Sequence, residues 1–287
     1  AASDVYKRQV MGGYIVMKTL DSVNIPIRKD ETHKGDYGKI LLIGGSANMG
    51  GAIMLAARAC VYSGSGLITV ATHPNNHAAL HSRCPEAMVI DINDTKMLTK
   101  MIEATDSILI GPGLGVDFKG NNAITFLLQN IQPHQNLIVD GDAITIFSKL
   151  KPQIPTCRVI FTPHQKEWER LSGIPIEEQT YERNLEAVER IGATVVLKQH
   201  GTEIYFCNDD VYKLPIGTPA MATGGMGDTL AGMITSFVGQ FDNFKEAVTS
   251  ATYMHSFIGE KLSDTMYVVP PSRLISEIPY VMKQLEG

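Results

Sequence analysis

Met221-Ala222-Thr223-Gly224-Gly225-Met226-Gly227-Asp228-Thr229-Leu230-Ala231-Gly232 sets three glycines ahead of an aspartate and a helical run. Leu230, Met233, Ile234, Phe237 and Val238 follow at helical spacing, so a loop opens here into an amphipathic helix. Glycines let a backbone approach a ligand closely, and the free N–H groups of a helix start, with the positive end of the macrodipole, favour an anion. A phosphoryl group suits such a place. Asp228 is then the odd residue, because a carboxylate beside bound phosphate repels it unless its task is to take a proton from the group being phosphorylated. The plainer reading is that Thr223 or Asp228 caps the helix and the glycines turn the chain. Short glycine motifs also arise by chance, so this stretch alone leaves both readings open.

Working outward, strand-like and helix-like segments alternate from Lys39 without a composition break, the pattern of a largely parallel sheet covered by helices. The apolar run 39–43 ends at Gly44-Gly45, an Ala-rich helix is expected over 53–62, and a second buried strand over 67–71, which together make a βαβ unit. Further buried strands are expected at 88–92, 107–110, 136–139, 159–161 and 194–197. Ligands in open α/β sheets gather at the carboxyl ends of strands, so Gly44, Gly111, Asp140, Thr162 and Lys198 are expected on one edge. Segments 202–207 and 211–214, joined by Asn208-Asp209-Asp210, read as an antiparallel hairpin that makes the sheet mixed at one end. Late helices are expected over 244–262 and 271–285, the second opening with proline. Residues 17–287 read as a single domain. Residues 1–16 look unlike the rest and are expected to be a non-native or disordered leader, with Met11 and Met17 as candidate starts, whose removal leaves stability and activity unchanged.

The 287 residues are 44% hydrophobic and 19% charged, enough for a sizeable core, and the net charge of −5 argues against a nucleic-acid surface spread over the molecule. No apolar run is long enough to span a bilayer, so neither nucleic acid nor membrane is an expected partner. Cys60, Cys84, Cys157 and Cys207 form no CxxC pair, which suits reduced thiols in the cytoplasm, and Cys60 and Cys207 read as small core residues.

The Walker P-loop and GxGxxG patterns are absent. Gly111-Pro112-Gly113-Leu114-Gly115 reads either as a loop like those that hold dinucleotides or as a tight turn. In Thr162-Pro163-His164-Gln165-Lys166-Glu167, His164 and Glu167 lie one helical turn apart and can face one site, where a carboxylate can hold Mg²⁺ through water; otherwise His164 caps the strand end and Glu167 lies on a solvated face. Asp140-Gly141-Asp142-Ala143 ends a strand with two acids that bind a metal or polar ligand, or of which Asp142 caps the next helix. Lys198 ends a strand where a cation would meet phosphates, unless it is a surface turn residue.

Taken in order with His33-Lys34-Gly35-Asp36-Tyr37-Gly38-Lys39, Gly44-Gly45-Ser46 and Gly51-Ala52, these segments resemble the ribokinase-like NAD(P)H-hydrate dehydratases, a carbohydrate kinase-related family. The resemblance runs from about Lys34 to the last helix. It implies a three-layer α/β/α sandwich with a largely parallel central sheet and an antiparallel edge. It also implies dehydration of (6S)-NADHX and (6S)-NADPHX to NADH and NADPH, with Mg²⁺, through a phosphorylated intermediate and at the expense of ADP, converted to AMP and phosphate, or of ATP. Carried over residue by residue, it places Ala52, Gly113, His164 and Asp228 at the substrate, with Asp228 catalytic. Lys198, Gln199, His200, Gly201, Thr202, Gly224, Gly225 and Gly227 would hold the nucleotide, and Glu167 would organise Mg²⁺ through water. Met226 departs from the small polar residue of many relatives, and Gln199-His200 replace the glycine that often follows the lysine, two departures that fall in the nucleotide-holding segments. A homotetramer working beside a separate NAD(P)HX epimerase is implied as well. The rivals are a hydroxyethylthiazole or hydroxymethylpyrimidine kinase of the same fold, and a non-catalytic nucleotide-binding regulator.

Overall fold

The structure, a computed structural model, describes residues 7–10 and 13–287. In chain order its elements are Lys7–Val10 (β1), Gly13–Thr19 (β2), Lys39–Ile43 (β3), Gly50–Tyr62 (α1), Leu67–Thr72 (β4), His77–Arg83 (α2), Met88–Asp91 (β5), Thr95–Ala104 (α3), Ser107–Ile110 (β6), Phe118–Asn130 (α4) and Asn136–Val139 (β7). There follow Asp142–Leu150 (α5), Arg158–Phe161 (β8), Gln165–Ser172 (α6), Tyr181–Ile191 (α7), Thr194–Leu197 (β9), Glu203–Tyr205 (β10), Val211–Lys213 (β11), Met226–Gln240 (α8), Phe244–Ser263 (α9) and Pro271–Gln284 (α10).

Among the described residues the strands form one sheet in the order β1-β2-β11-β10-β9-β8-β7-β6-β3-β4-β5. From β9 to β5 every pair is parallel, whereas β10 runs antiparallel to β9 and β11, and β1 antiparallel to β2. This is the expected largely parallel sheet with an antiparallel edge. Its central strands read as continuous apolar runs because both faces are covered. Ile40, Leu42, Leu109, Ile138, Ile160 and Val196 pack in the core cluster that holds the buried faces of α1, α8, α9 and α10. Their neighbours Leu41, Ile43, Ile108, Ile110, Leu137 and Val139 pack in a second cluster with α3 to α7. Period-two side chains facing two helical layers make the three-layer sandwich.

Two packing details aim helices at the site. A Cβ on Gly232 would lie 2.4 Å from the Ala56 carbonyl oxygen, so glycine lets α8 cross α1 at backbone contact, and the Cys60 thiol donates to the Gly232 carbonyl there at 3.2 Å. Burial raises the pKa of that thiol, in keeping with a core residue. Fully buried Trp168 donates from Nε1 to Asn184 Oδ1 at 2.8 Å, which locks α6 to α7. Cys207, expected in the core, is instead partly exposed where the chain leaves β10.

The expected leader falls partly outside the described residues, at 1–6 and at 11 and 12. Within them, Gly13–Thr19 pairs with β11 through Met17, Lys18 and Thr19, and Ile15 is 3% exposed in the second core cluster. Deleting residues 1–16 is therefore expected to lower stability, by about 1.5–3 kcal/mol for one fully buried isoleucine. Thermal melts of the two chains check this, and coincident melts would return the segment to the status of a dispensable leader.

Candidate functional site

Register aligns the strand ends. Ile43 pairs with Ile110, Ile110 with Val139, Val139 with Phe161, and Phe161 with Val195, so Gly44, Gly111, Asp140 and Thr162 stand on one edge of the sheet. Lys198 joins them, its backbone N–H donating to the Pro163 carbonyl at 2.8 Å. The order of the parallel strands reverses between β3 and β6, and such a switch point opens a crevice outside the strand ends.

Lys198 is the hub of one group. Its Nζ donates to Asp140 Oδ1 at 2.8 Å, and the same oxygen accepts from Thr162 Oγ1 at 2.7 Å; Asp140 is 2% exposed. Lys198 also lies over the start of α8, where a Cβ on Gly227 would come within 3.1 Å of Nζ. Burial opposes the ammonium charge, but Asp140, Glu167 and Asp228 outweigh it and raise the pKa, so Lys198 stays protonated.

Neither Thr223 nor Asp228 caps α8. Its N-cap is Gly225, at φ 92°, with no side-chain cap hydrogen bond, and a Cβ there would strike the Leu55 side chain at 2.3 Å. Only glycine suits both the left-handed backbone and the space. With no side chain capping it, the first turn presents its amides to the strand-end edge. Asp228 lies in that turn, and burial, reinforced by Asp140 and opposed by Lys198, pushes its pKa up to about 6. A cation and a helix start suited to an anion thus meet a carboxylate able to accept a proton near neutral pH.

His164 caps α6 rather than the strand. Its Nδ1 accepts from the backbone N–H groups of Lys166 and Glu167 at 3.1 and 3.3 Å, and Glu167 Oε2 accepts from His164 N at 2.8 Å, a reciprocal capping box. Glu167 is buried, not on a solvated face. Burial, with Lys198 and Arg170 adding to it, lowers the His164 pKa, so the ring is neutral at pH 7. Burial raises the pKa of Glu167 while Lys198 opposes it.

Ala52 and Gly113 form a second group at the switch point, where a Cβ on Gly113 would lie 3.2 Å from the Ala52 Cβ. Beside them a cavity of about 620 Å³ is lined by Gly45, Ser46, His73, Asn93, Leu114 and Gly115, among others. The Gly45 carbonyl accepts from Thr72 Oγ1 and Asn76 Nδ2, each at 2.8 Å, which fixes that wall. Asp142 does not cap α5; its Oδ2 accepts from Gly115 N at 2.8 Å and ties the Gly111 to Gly115 turn to the next loop. Gln199, His200, Gly201 and Thr202 make the turn between β9 and β10, with Gln199 Oε1 accepting from Gln165 Nε2 at 3.2 Å. Sequence reasoning missed the Asp140–Lys198 pair, because 58 residues separate its members, and it missed His255, whose Nε2 lies 3.1 Å from the Met226 carbonyl oxygen. Nothing local in the run of α9 marks that histidine.

A three-layer α/β/α fold with an open-ended helix start, a lysine and a carboxylate at its strand ends is of the ribokinase-like class. Residues 40–280 match the family described as NAD(P)H-hydrate dehydratase. The ADP-dependent (S)-NAD(P)H-hydrate dehydratase of Staphylococcus aureus is 87% identical over 277 residues, covering 96% of this chain and 100% of that one. Among solved structures, a ribokinase-like superfamily protein of Enterococcus faecalis is 44% identical with a TM-score of 0.89, over 92% of this chain and 93% of that one. The ADP/ATP-dependent NAD(P)H-hydrate dehydratase of Bacillus subtilis, co-crystallised with ATP/Mg²⁺, is 31% identical with a TM-score of 0.83, over 92% and 95%. The chain belongs to the NAD(P)H-hydrate dehydratase family.

Proposed function

We propose that the chain dehydrates (6S)-NADHX and (6S)-NADPHX to NADH and NADPH, using ADP as phosphoryl donor and releasing AMP and phosphate. The observation that carries this is Asp228, its pKa lifted to about 6, in the first turn of a helix with no side-chain cap and within the field of Lys198. The 87% identity to an ADP-dependent enzyme supports the choice of nucleotide.

Hydroxide leaves a saturated carbon poorly, so the ring hydroxyl is first made a phosphate ester. Asp228 takes the hydroxyl proton as the oxygen attacks the terminal phosphorus of ADP, and the phosphorus–oxygen bond to AMP breaks. The amides of Gly224, Gly225 and Gly227, with Lys198, bind the transferring group, and the turn of Gln199, His200, Gly201 and Thr202 holds the rest of the nucleotide. The ring nitrogen lone pair then expels phosphate, loss of the neighbouring ring proton restores the double bond, and NAD(P)H results. Ala52, Gly113 and His164 hold the nicotinamide nucleotide beside Asp228.

Among the described residues no group of three or more His, Cys, Asp or Glu side chains is placed to hold a metal directly. Glu167 has Oε2 engaged at the His164 N–H, its Oε1 stands 3.6 Å from His164 Nε2 and would face a hydrated ion, and Mg²⁺ keeps much of its water beside nucleotide phosphates. Those residues fit Mg²⁺ held through water, and bound there it would neutralise charge on the phosphoryl group.

The reading includes a homotetramer in the cytoplasm and a separate NAD(P)HX epimerase as functional partner. The separate epimerase is supported by a Staphylococcus aureus relative that is named for the dehydratase activity alone. No helix among the described residues is long and apolar enough to cross a membrane. The deciding experiment offers Mg²⁺ and (S)-NADHX with ADP or ATP and follows nicotinamide absorbance, AMP and phosphate. Recovery of NADH in step with AMP is expected. Phosphorylation of a thiazole or pyrimidine alcohol with NADHX untouched would establish the kinase alternative, and nucleotide binding with no turnover of any substrate would establish the regulator.

A further inference from the structure

His255 lies in the middle of α9 and is buried, and its Nε2 stands 3.1 Å from the Met226 carbonyl oxygen. A carbonyl can only accept, so Nε2 carries the proton. Burial, with the Met226 carbonyl opposing it and the Lys198 ammonium adding to it, pulls the His255 pKa down to about 4, so the ring is neutral at pH 7. Met226 is the first residue of α8, and its carbonyl belongs to the same planar peptide group as the Gly227 N–H. Helix geometry directs that carbonyl down the helix and that N–H toward the open end, where Lys198 stands.

We infer that His255 is a positioning residue that acts through the peptide group between Met226 and Gly227, fixing its plane and polarising the Gly227 N–H toward the phosphoryl group. The imidazole is buried behind the Met226 carbonyl and is given no contact with substrate or nucleotide in this role. A hydrogen bond accepted at one end of an amide strengthens the donor at the other, and it also holds the plane against rotation during transfer. The catalytic part of this inference rests on the dehydratase reading; the part concerning the amide stands without it.

The test compares His255→Leu, which fills the space without a donor, with His255→Gln, whose side-chain amide reaches the Met226 carbonyl from the depth of Nε2. Full-length proteins are assayed with ADP and (S)-NADHX, melted, and labelled for the Gly227 amide resonance with and without ADP. His255→Leu is expected to lose kcat on the order of tenfold, less than the 10²–10³ that follows loss of a direct donor, and to move the Gly227 amide proton upfield. His255→Gln should recover kcat to within about threefold and move the resonance back, whatever its melting temperature. If His255→Leu fails to fold, His255→Asn, whose amide stops short of Met226, takes its place. Equal losses in the donor and non-donor variants, or an unmoved Gly227 resonance, overturn the inference. If the unmutated protein leaves NADHX untouched, the dehydratase reading falls, and the resonance alone still decides whether His255 sets the amide.

Discussion

Asp228→Asn is expected to lose turnover by on the order of 10²–10⁴-fold, the usual contribution of a positioned base, while it still binds ADP. It is also expected to melt higher than the unmutated protein at pH 7. The folded-state pKa of about 6 lies above the ordinary value of 3.8, so the native fold pays for each ionised Asp228. A carboxyl with a raised folded pKa binds its proton more tightly in the native state. The destabilisation is absent below about pH 4, grows between about 4 and 6, and is complete above about 6. At neutral pH the neutral amide removes it, a gain on the order of 1–3 kcal/mol once the partial exposure of the site is allowed for. Melts at pH 4 and pH 7 read the sign directly: a stability gain at 7 that vanishes at 4. The free enzyme's kcat/KM should likewise fall as pH drops below about 6, where the base becomes protonated. A folded Asp228→Asn protein with ordinary turnover would remove Asp228 from the reaction.

Lys198→Met should be both unstable and unable to hold nucleotide. It strips the ammonium from a buried carboxylate, leaving Asp140 with the Thr162 hydroxyl as its remaining side-chain partner among the described residues, and breaking a buried pair in this way costs about 3–5 kcal/mol. The double variant Lys198→Met with Asp140→Asn removes the stranded charge as well, so most of the stability is expected to return. ADP affinity should not return, because the cation over the start of α8 is still missing. Melting curves and ADP titration of the single and double variants separate the two roles. An unchanged melting temperature in the single variant would mean the ion pair carries no stability, and unchanged ADP affinity would remove Lys198 from the nucleotide site.

The central sheet was legible residue by residue. Strands expected at 107–110, 136–139 and 194–197 are β6, β7 and β9, because parallel strands covered on both faces read as short, near-continuous apolar runs bounded by turn residues, here after a single polar residue in each. The hairpin around Asn208-Asp209-Asp210 is present but shorter than expected, since only Glu203–Tyr205 and Val211–Lys213 keep ladder pairing. At the site, local readings failed wherever a polar side chain had a choice of partners. Asp142, which reads either as an acid for a metal or polar ligand or as a helix cap, binds the Gly115 amide, while His164 caps the helix that follows it rather than the strand that precedes it.

The residue order by itself therefore determined the alternation of strands and helices and which loops stand at the strand ends, because both follow from periodicity and spacing along the chain, while the family entered as a resemblance carried by the ordered motifs. Only the tertiary structure decided what those loops do to one another: that Asp140 holds Lys198, that Asp228 is half-buried within the field of both, and that the start of α8 has no side-chain cap and meets His255 at the Met226 carbonyl. The physical reason is that charge interaction and desolvation depend on distance and burial in three dimensions. Residues 140, 198, 228 and 255 share one small volume while lying more than a hundred positions apart from first to last.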